Sequence, residues 1–182
     1  MKKFKLILLM PLFLLFVGSE CRKDLKTTLP PVTQEGAETF GCLVNGQLFR
    51  NGGSGFTTLN LIAELFSNNN VLNVDASNGT GSVNQSIGFS IKNMKGPGKY
   101  YLTGNNSGGL TDLNGNNFCK YKTDSLDQTS YVNITYFDTI REVVSGTFSF
   151  KAKLYQSALG TCDSTHIIDV TEGRFDVFYF KQ

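Results

Sequence analysis

The sequence predicts a single antiparallel all-β domain, and three observations carry that expectation. Apolar residues from Thr39 onward recur mostly at period two, which places alternate side chains on one face of a sheet. Clusters of Asn, Gly, Ser and Pro punctuate these runs at hairpin spacing. Asn, Gly, Ser and Thr fill more than a third of the 182 residues, whereas the helix formers Ala and Glu supply only eleven. About nine to ten strands are expected, arranged as a β-sandwich or, alternatively, as a closed β-barrel. The same numbers exclude an extended multidomain chain, a collagen-like or acidic disordered chain, and a polytopic membrane protein.

Taken in order, residues 39–44 put Phe40, Cys42 and Val44 on one face, and Asn45-Gly46 is a two-residue hairpin signal leading into 47–50. Strands follow near 58–66 and 71–77, the latter with Leu72, Val74 and Ala76 opposed to Asn73 and Asp75. Residues 83–93 alternate Ile87, Phe89 and Ile91 with Ser86, Ser90 and Lys92, and Gly96-Pro97-Gly98 turns the chain into 98–103. Gly104 to Asn117 is too polar and glycine-rich for a strand and is expected to be a long loop. Strands resume at 118–123, at 130–137 with Val132, Ile134 and Tyr136, and at 141–154, where Gly146, Phe148, Phe150, Ala152 and Leu154 alternate with Thr147, Ser149, Lys151 and Lys153. The final run, 166–180, is apolar on both faces towards its end, so it is expected to be central or covered.

The N-terminus reads as an export signal over residues 1–20. Lys2, Lys3 and Lys5 precede an apolar run from Leu6 to Val17, interrupted only by Pro11, and twelve residues are too few to cross a bilayer core of about 30 Å. Cys21 stands where a bacterial lipoprotein signal carries its acylated cysteine, although Glu20 replaces the usual small residue. The competing processing site lies after Ser19. Residues 21–38 lack periodicity, contain Pro30-Pro31, and read as a lipidated cysteine plus a flexible tether; 39–182 is the domain. Removal of the signal leaves fourteen basic and fourteen acidic residues, so no basic stripe tracks phosphates and nucleic acid is not an expected partner.

With Cys21 acylated, Cys42, Cys119 and Cys162 remain in an oxidising compartment. Cys42 belongs to the apolar face of its strand, and Cys119 and Cys162, each beside a loop, are the candidate disulfide. The alternatives are three unpaired thiols or, without lipidation, two bridges among four cysteines. No spacing matches a structural zinc site.

Three ordered motifs carry a resemblance. Thr39-Phe40-Gly41-Cys42-Leu43-Val44-Asn45-Gly46, Ser145-Gly146-Thr147-Phe148-Ser149-Phe150 and Glu172-Gly173-Arg174-Phe175-Asp176-Val177, with the Leu29 to Gln34 lead-in, resemble a family of uncharacterised exported lipoproteins of Bacteroidota. The resemblance implies an outer-membrane location, facing the periplasm or the surface, and carries no catalytic residues; a secreted soluble form is the alternative.

Candidate chemistry is sparse. His166 is the only imidazole, so histidine-dependent catalysis rests on it alone and a multi-histidine metal site is impossible. Asp112, Asn114 and Asn116 alternate like calcium ligands, but Asn117 and Thr123 stand where a glycine and a bidentate Glu belong. Asp124-Ser125-Leu126, Asp138-Thr139-Ile140 and Asp163-Ser164-Thr165 resemble O-glycosylation tripeptides of exported Bacteroidota proteins, making Ser125, Thr139 and Ser164 the modified positions; turn-forming Asp and Ser/Thr explain them equally well. Arg174 and Asp176 share a strand face with Glu172, where an Arg–carboxylate ion pair is expected. Tyr100, Tyr101, Tyr121 and Tyr131 suggest a sugar-stacking platform or ordinary packing. The expected function is a non-catalytic, membrane-anchored binding or envelope module with no cofactor or metal, whose loop 104–117 meets an unidentified glycan or protein. The alternative is a lipocalin-like carrier holding a small apolar ligand among the 22 Phe and Tyr residues, with a hydrolase third.

Overall fold

The computed structural model describes residues 28–53, 60–80, 83–114 and 117–182. They form an all-β fold with no helix among the described residues: β1 (Thr39–Val44), β2 (Gln47–Arg50), β3 (Gly52–Gly53), β4 (Leu61–Phe66), β5 (Val71–Thr80), β6 (Val83–Ile91), β7 (Gly98–Tyr101), β8 (Ser107–Asn114), β9 (Asn117–Thr123), β10 (Tyr131–Asp138), β11 (Val143–Leu159), β12 (Ile167–Phe178) and β13 (Phe180–Lys181). The export signal, Cys21 and the first residues of the expected tether lie outside the described residues.

All strands join one sheet in the order β13-β4-β5-β6-β8-β9-β11-β12-β1-β2, with β10 paired to β11 and β7. Two short parallel pairings fold this path back on itself. β3, just beyond β2, pairs with β5, and β13, one residue beyond β12, pairs with β4. The sheet is therefore mixed and strongly curled, and the two layers expected of a sandwich belong to the same hydrogen-bonded sheet. β11 is its spine: over seventeen residues it pairs along one edge with β10 and then β9, and along the other with β12.

The expected 104–117 loop is corrected to a strand. β8 pairs with β6 and β9 along its length, although its sequence Ser-Gly-Gly-Leu-Thr-Asp-Leu-Asn has little strand propensity. Tertiary pairing overrides composition here, and the close packing explains part of that composition: a Cβ on Gly108 would come within about 3 Å of the Leu102 and Phe150 side chains.

Inside the curl, Phe40, Phe89, Phe148 and Phe175 pack in one aromatic cluster, with ring centroids 4.9 Å apart for Phe40–Phe148 and 5.2 Å for Phe89–Phe175. Each such ring removed from water stabilises the fold by roughly 1.5–3 kcal/mol. β12 feeds this core from both parities. Ile168 and Val170 are buried, then Phe175, Val177 and Tyr179, and the change of parity is made by an extra residue in β12. Glu172, at φ 51°, lies within that bulge.

The opposite face of β12 is covered by residues 28–38, which belong to the folded body and shorten the expected tether. Asp176, fully buried, is the clasp. Its carboxylate accepts from the Thr33 hydroxyl at 2.6 Å, from the backbone N–H groups of Glu35, Gly36 and Ala37 at 2.9–3.1 Å, and from the Ser145 hydroxyl at 2.7 Å. Arginines hold the segment on either side of the clasp: Arg50 donates to the Thr28 carbonyl, Arg174 to Pro30 and Arg141 to Glu35. Burial alone pushes the Asp176 carboxyl up, but the hydrogen bonds from Thr33, Ser145, Glu35 and Gly36 more than offset it and hold the group at about 2.

Cys119 and Cys162 form a disulfide with Cα atoms 5.9 Å apart, and Cys42 is a free thiol in the core, pushed up to about 12 by burial.

Because the folded Asp176 ionises below the unfolded value of 3.8, its contribution is complete above about pH 4 and lost as pH falls towards 2. Urea unfolding between pH 5 and pH 2 should therefore cost the wild type about 2 kcal/mol more than Asp176→Asn, and parallel pH dependences would contradict the clasp. Cys162→Ser, which opens a bridge spanning 43 residues, should lower unfolding free energy by about 2–4 kcal/mol in the same assay.

Candidate functional site

The interior changes character towards one end of the sheet. On one rung Ile87 pairs with Leu110 and Leu110 with Tyr121, all three buried. One rung further, Gln85 pairs with Asp112 and Asp112 with Cys119. Because strand side chains alternate, residues two apart share a face, so Gln85 and Asp112 stand on the core side directly beyond Ile87 and Leu110. A cavity of about 250 Å³ occupies this end. Its apolar wall comes from Val44, Phe49, Leu110 and Ile168, and its polar groups are Gln47, Gln85, Asp112, Tyr121, Asn45 and His166.

The rim is built by the β1–β2 hairpin and the start of β12. Asn45 and Gly46 both take positive φ, 50° and 79°, as the two-residue turn requires. Asn45 then clasps β12: its N–H donates to the Asp169 carbonyl, its side-chain oxygen accepts the Asp169 N–H at 2.8 Å, and its amide nitrogen lies 3.1 Å from His166 Nε2. The Cys119–Cys162 bridge ties the loop preceding His166 to β9, so the rim is anchored on two sides.

Asp112 sets the electrostatics. Its Oδ1 is shielded from solvent and has no hydrogen-bond partner among the described residues, and neither Lys nor Arg lines the cavity. Burial, then the carboxylates of Asp112 and Asp163, push the Tyr121 phenol above its ordinary value, so it remains a neutral hydroxyl at physiological pH. The cavity is thus a hydrogen-bonding pocket whose lining holds one carboxylate and no Lys or Arg among the described residues.

A second concavity, about 360 Å³, lies on the outer face of β5, β6, β8 and β9. The Asp75 carboxylate lies down across Gly88, where a Cβ would overlap it. Although part of the residue reaches solvent, burial of the carboxylate, then the charge of Glu64, push it up to about 6. Lys120 and Lys122 also line this groove.

The other residues singled out in the sequence are dispersed. Ser125, Thr139 and Ser164 are all exposed, and each follows an Asp whose Oδ1 accepts the N–H two residues on, from Leu126, Ile140 and Thr165 at 2.8–3.0 Å. Asp127 makes the same turn around Gln128, so the turn itself does not depend on a central hydroxyl. Asn116 lies outside the described residues, and no group of three His, Cys, Asp or Glu among the described residues is placed to hold a metal. Arg174 pairs with Glu172 at 3.7 Å, while Asp176 is taken by the clasp. The tyrosines form no single platform: Tyr101 and Tyr131 are cross-strand partners with Lys99 between their rings, Tyr100 bonds the Gly96 carbonyl, and Tyr121 is at the cavity.

Gln47, Gln85 and the cavity role of Asp112 were not anticipated. Reading 104–117 as a loop removed the parity that places Asp112 on the same face as Leu110.

Fold and cavity together define a class: a curled single-sheet β domain with a filled aromatic interior and a polar chamber at one end. No protein-family model, no curated protein and no solved structure matches the chain.

A carboxylate oxygen buried without a partner is a local cost to the unliganded fold. Asp112→Asn, which removes the charge at nearly constant shape, should raise the unfolding free energy of the ligand-free protein by roughly 1 kcal/mol; a loss of similar size would show that Asp112 is structurally satisfied.

Proposed function

We propose that this chain is an exported, membrane-anchored, non-catalytic binding module whose ligand site is the end chamber. The observation that carries the reading is a chamber in which an apolar wall of Val44, Phe49, Leu110 and Ile168 meets the polar groups of Gln85, Asp112, Tyr121 and His166. Binding chambers combine such an apolar wall with a few convergent polar groups. The aromatic cluster fills the middle of the curl, which favours a small polar ligand over the apolar cargo of a barrel carrier. A pairing of the single His166 with Asn45 rather than a carboxylate favours recognition over acid–base chemistry.

In this reading residues 1–20 are the export signal and Cys21 is the acylated anchor. Since 28–38 lie on the domain, the described body begins at Thr28, whose carbonyl accepts from Arg50. Ser125, Thr139 and Ser164, on exposed turns, are the proposed glycan attachment points. In the same reading the motifs at 39–46, 145–150 and 172–177 group the chain with the exported lipoproteins they resemble, with the outer membrane as its proposed location.

Cys21→Ser should move the protein from the membrane fraction to the soluble one, and intact mass should fall by the acyl groups; a membrane-bound variant with unchanged modification would overturn the anchor. The same mass spectrum reads the glycans, since a native mass equal to polypeptide plus lipid would eliminate them.

A further inference from the structure

On the opposite side of the sheet from the end chamber, we infer that the groove on the outer face of β5, β6, β8 and β9 is a second site and binds a short neutral saccharide segment. Its shape comes from the ladder register. Asp75 pairs with Gly88, Gly88 with Gly109 and Gly109 with Lys122, so one rung crosses four strands with a carboxylate at one end, an ammonium at the other and glycines between. The neighbouring rung on one side carries Ser86, Thr111 and Lys120, and on the other Ser90 and Ser107. The depression of about 360 Å³ therefore has a floor of backbone and hydroxyls. Tyr155 of β11, 69% exposed, stands at the lysine end, with the Lys122 ammonium 5.7 Å from its ring centre.

The chain leaves the polar groups of this groove unengaged. The side chains of Asn73, Asp75, Ser86, Ser90, Ser107 and Thr111 make no hydrogen bond or ion pair among the described residues, and Lys120 and Lys122 meet only aromatic rings. By contrast Asp124, Asp127, Asp138, Asp163 and Asp176 each accept from their own chain. Burial, then the charge of Glu64, holds the Asp75 carboxyl at about 6 with no donor to bring it down, yet the residue is open to solvent, so a ligand that donates to it relieves a cost the free protein carries. The groove thus presents an acceptor-only wall, a donor-only wall and hydroxyls of both characters between them. A sugar hydroxyl both donates and accepts, so one repeated group satisfies all three, and the C–H face of a sugar ring suits the exposed face of Tyr155. A peptide strand finds no free edge, because β6 and β8 are each paired on both sides. An anion would meet Asp75, a cation the lysines, and an apolar ligand a polar floor. At roughly twelve water volumes, the space suits a short segment of a glycan.

The test titrates the mature full-length chain with the methyl glycosides of glucose, galactose, mannose and N-acetylglucosamine, and with glycine and inorganic phosphate as zwitterionic and anionic probes, following amide chemical shifts. At least one glycoside should shift the amides of Gly88, Gly109 and Lys122. Asp75→Asn and Tyr155→Ala should each weaken that glycoside by about tenfold or more, while Asp112→Asn, at the end chamber, leaves it unchanged. Asp75→Asn is near-isosteric and Tyr155 is exposed, and the amide spectrum reports whether each variant is folded. Shifts at those amides with glycine or phosphate but with none of the glycosides would overturn the saccharide assignment, as would a glycoside whose binding survives both substitutions. No shift there with any probe would overturn the groove as a site. Each of these failures leaves the chamber standing, since a chamber ligand would shift Gln85 and Asp112 on the other face of the same strands.

Discussion

One buried carboxylate holds residues 28–38 against the sheet. Asp176 sits on the outer face of β12, opposite the aromatic core, where burial would ordinarily disfavour its charge. Five donors from two separate places in the chain converge on it: three backbone N–H groups and a hydroxyl from residues 33–37, and a hydroxyl from β11. Hydrogen bonds to a charged acceptor are roughly twice as strong as neutral ones, so the convergence converts a costly buried charge into the pin that lays residues 28–38 across the sheet. With that segment in place, β12 is covered on both faces, which explains why its last residues carry apolar side chains on both parities.

The consequence reaches function through geometry. A segment on a long flexible tether samples many orientations, whereas residues 28–38 are stapled to the sheet from Thr28 to Glu38. At the end of the sheet the same economy of polar groups runs in reverse. Asp176 is saturated by its own chain, and Asp112 is left with an acceptor unfilled. The two carboxylates thus differ in setting: Asp176 is structural, because its own chain supplies the donors, and Asp112 lines the chamber of the proposed site.

Much of the fold was readable from alternation. The runs at 39–44, 71–77, 141–154 and 166–180 fall within or across observed strands, Cys42 is in the core, and Cys119 pairs with Cys162, because inward positions in a sheet are marked by period-two apolar residues. Illegible elements share a physical cause. β8 has the composition of a loop and becomes a strand through its neighbours, β12 changes parity at a bulge that only three-dimensional pairing reveals, and β3 and β13 are two-residue strands made by closure of the curl. Thr33 to Ala37 looks like linker because, apart from the Thr33 hydroxyl, its binding groups are backbone N–H, which no side-chain pattern reports. The chamber was hidden for the same reason as β8: Asp112 acquires its position from pairing with Cys119 across a hairpin read as loop and with Gln85, a strand away.

The account turns on residues 33–37 being part of the folded body, and amide hydrogen exchange on the mature chain measures that directly. The N–H groups of Glu35, Gly36 and Ala37 should exchange far more slowly than in a free peptide and recover peptide-like rates in Asp176→Ala while amides of β5 and β6 stay protected. Peptide-like exchange at these three positions in the wild type, with β11 and β12 protected, would show that Asp176 does not hold the segment.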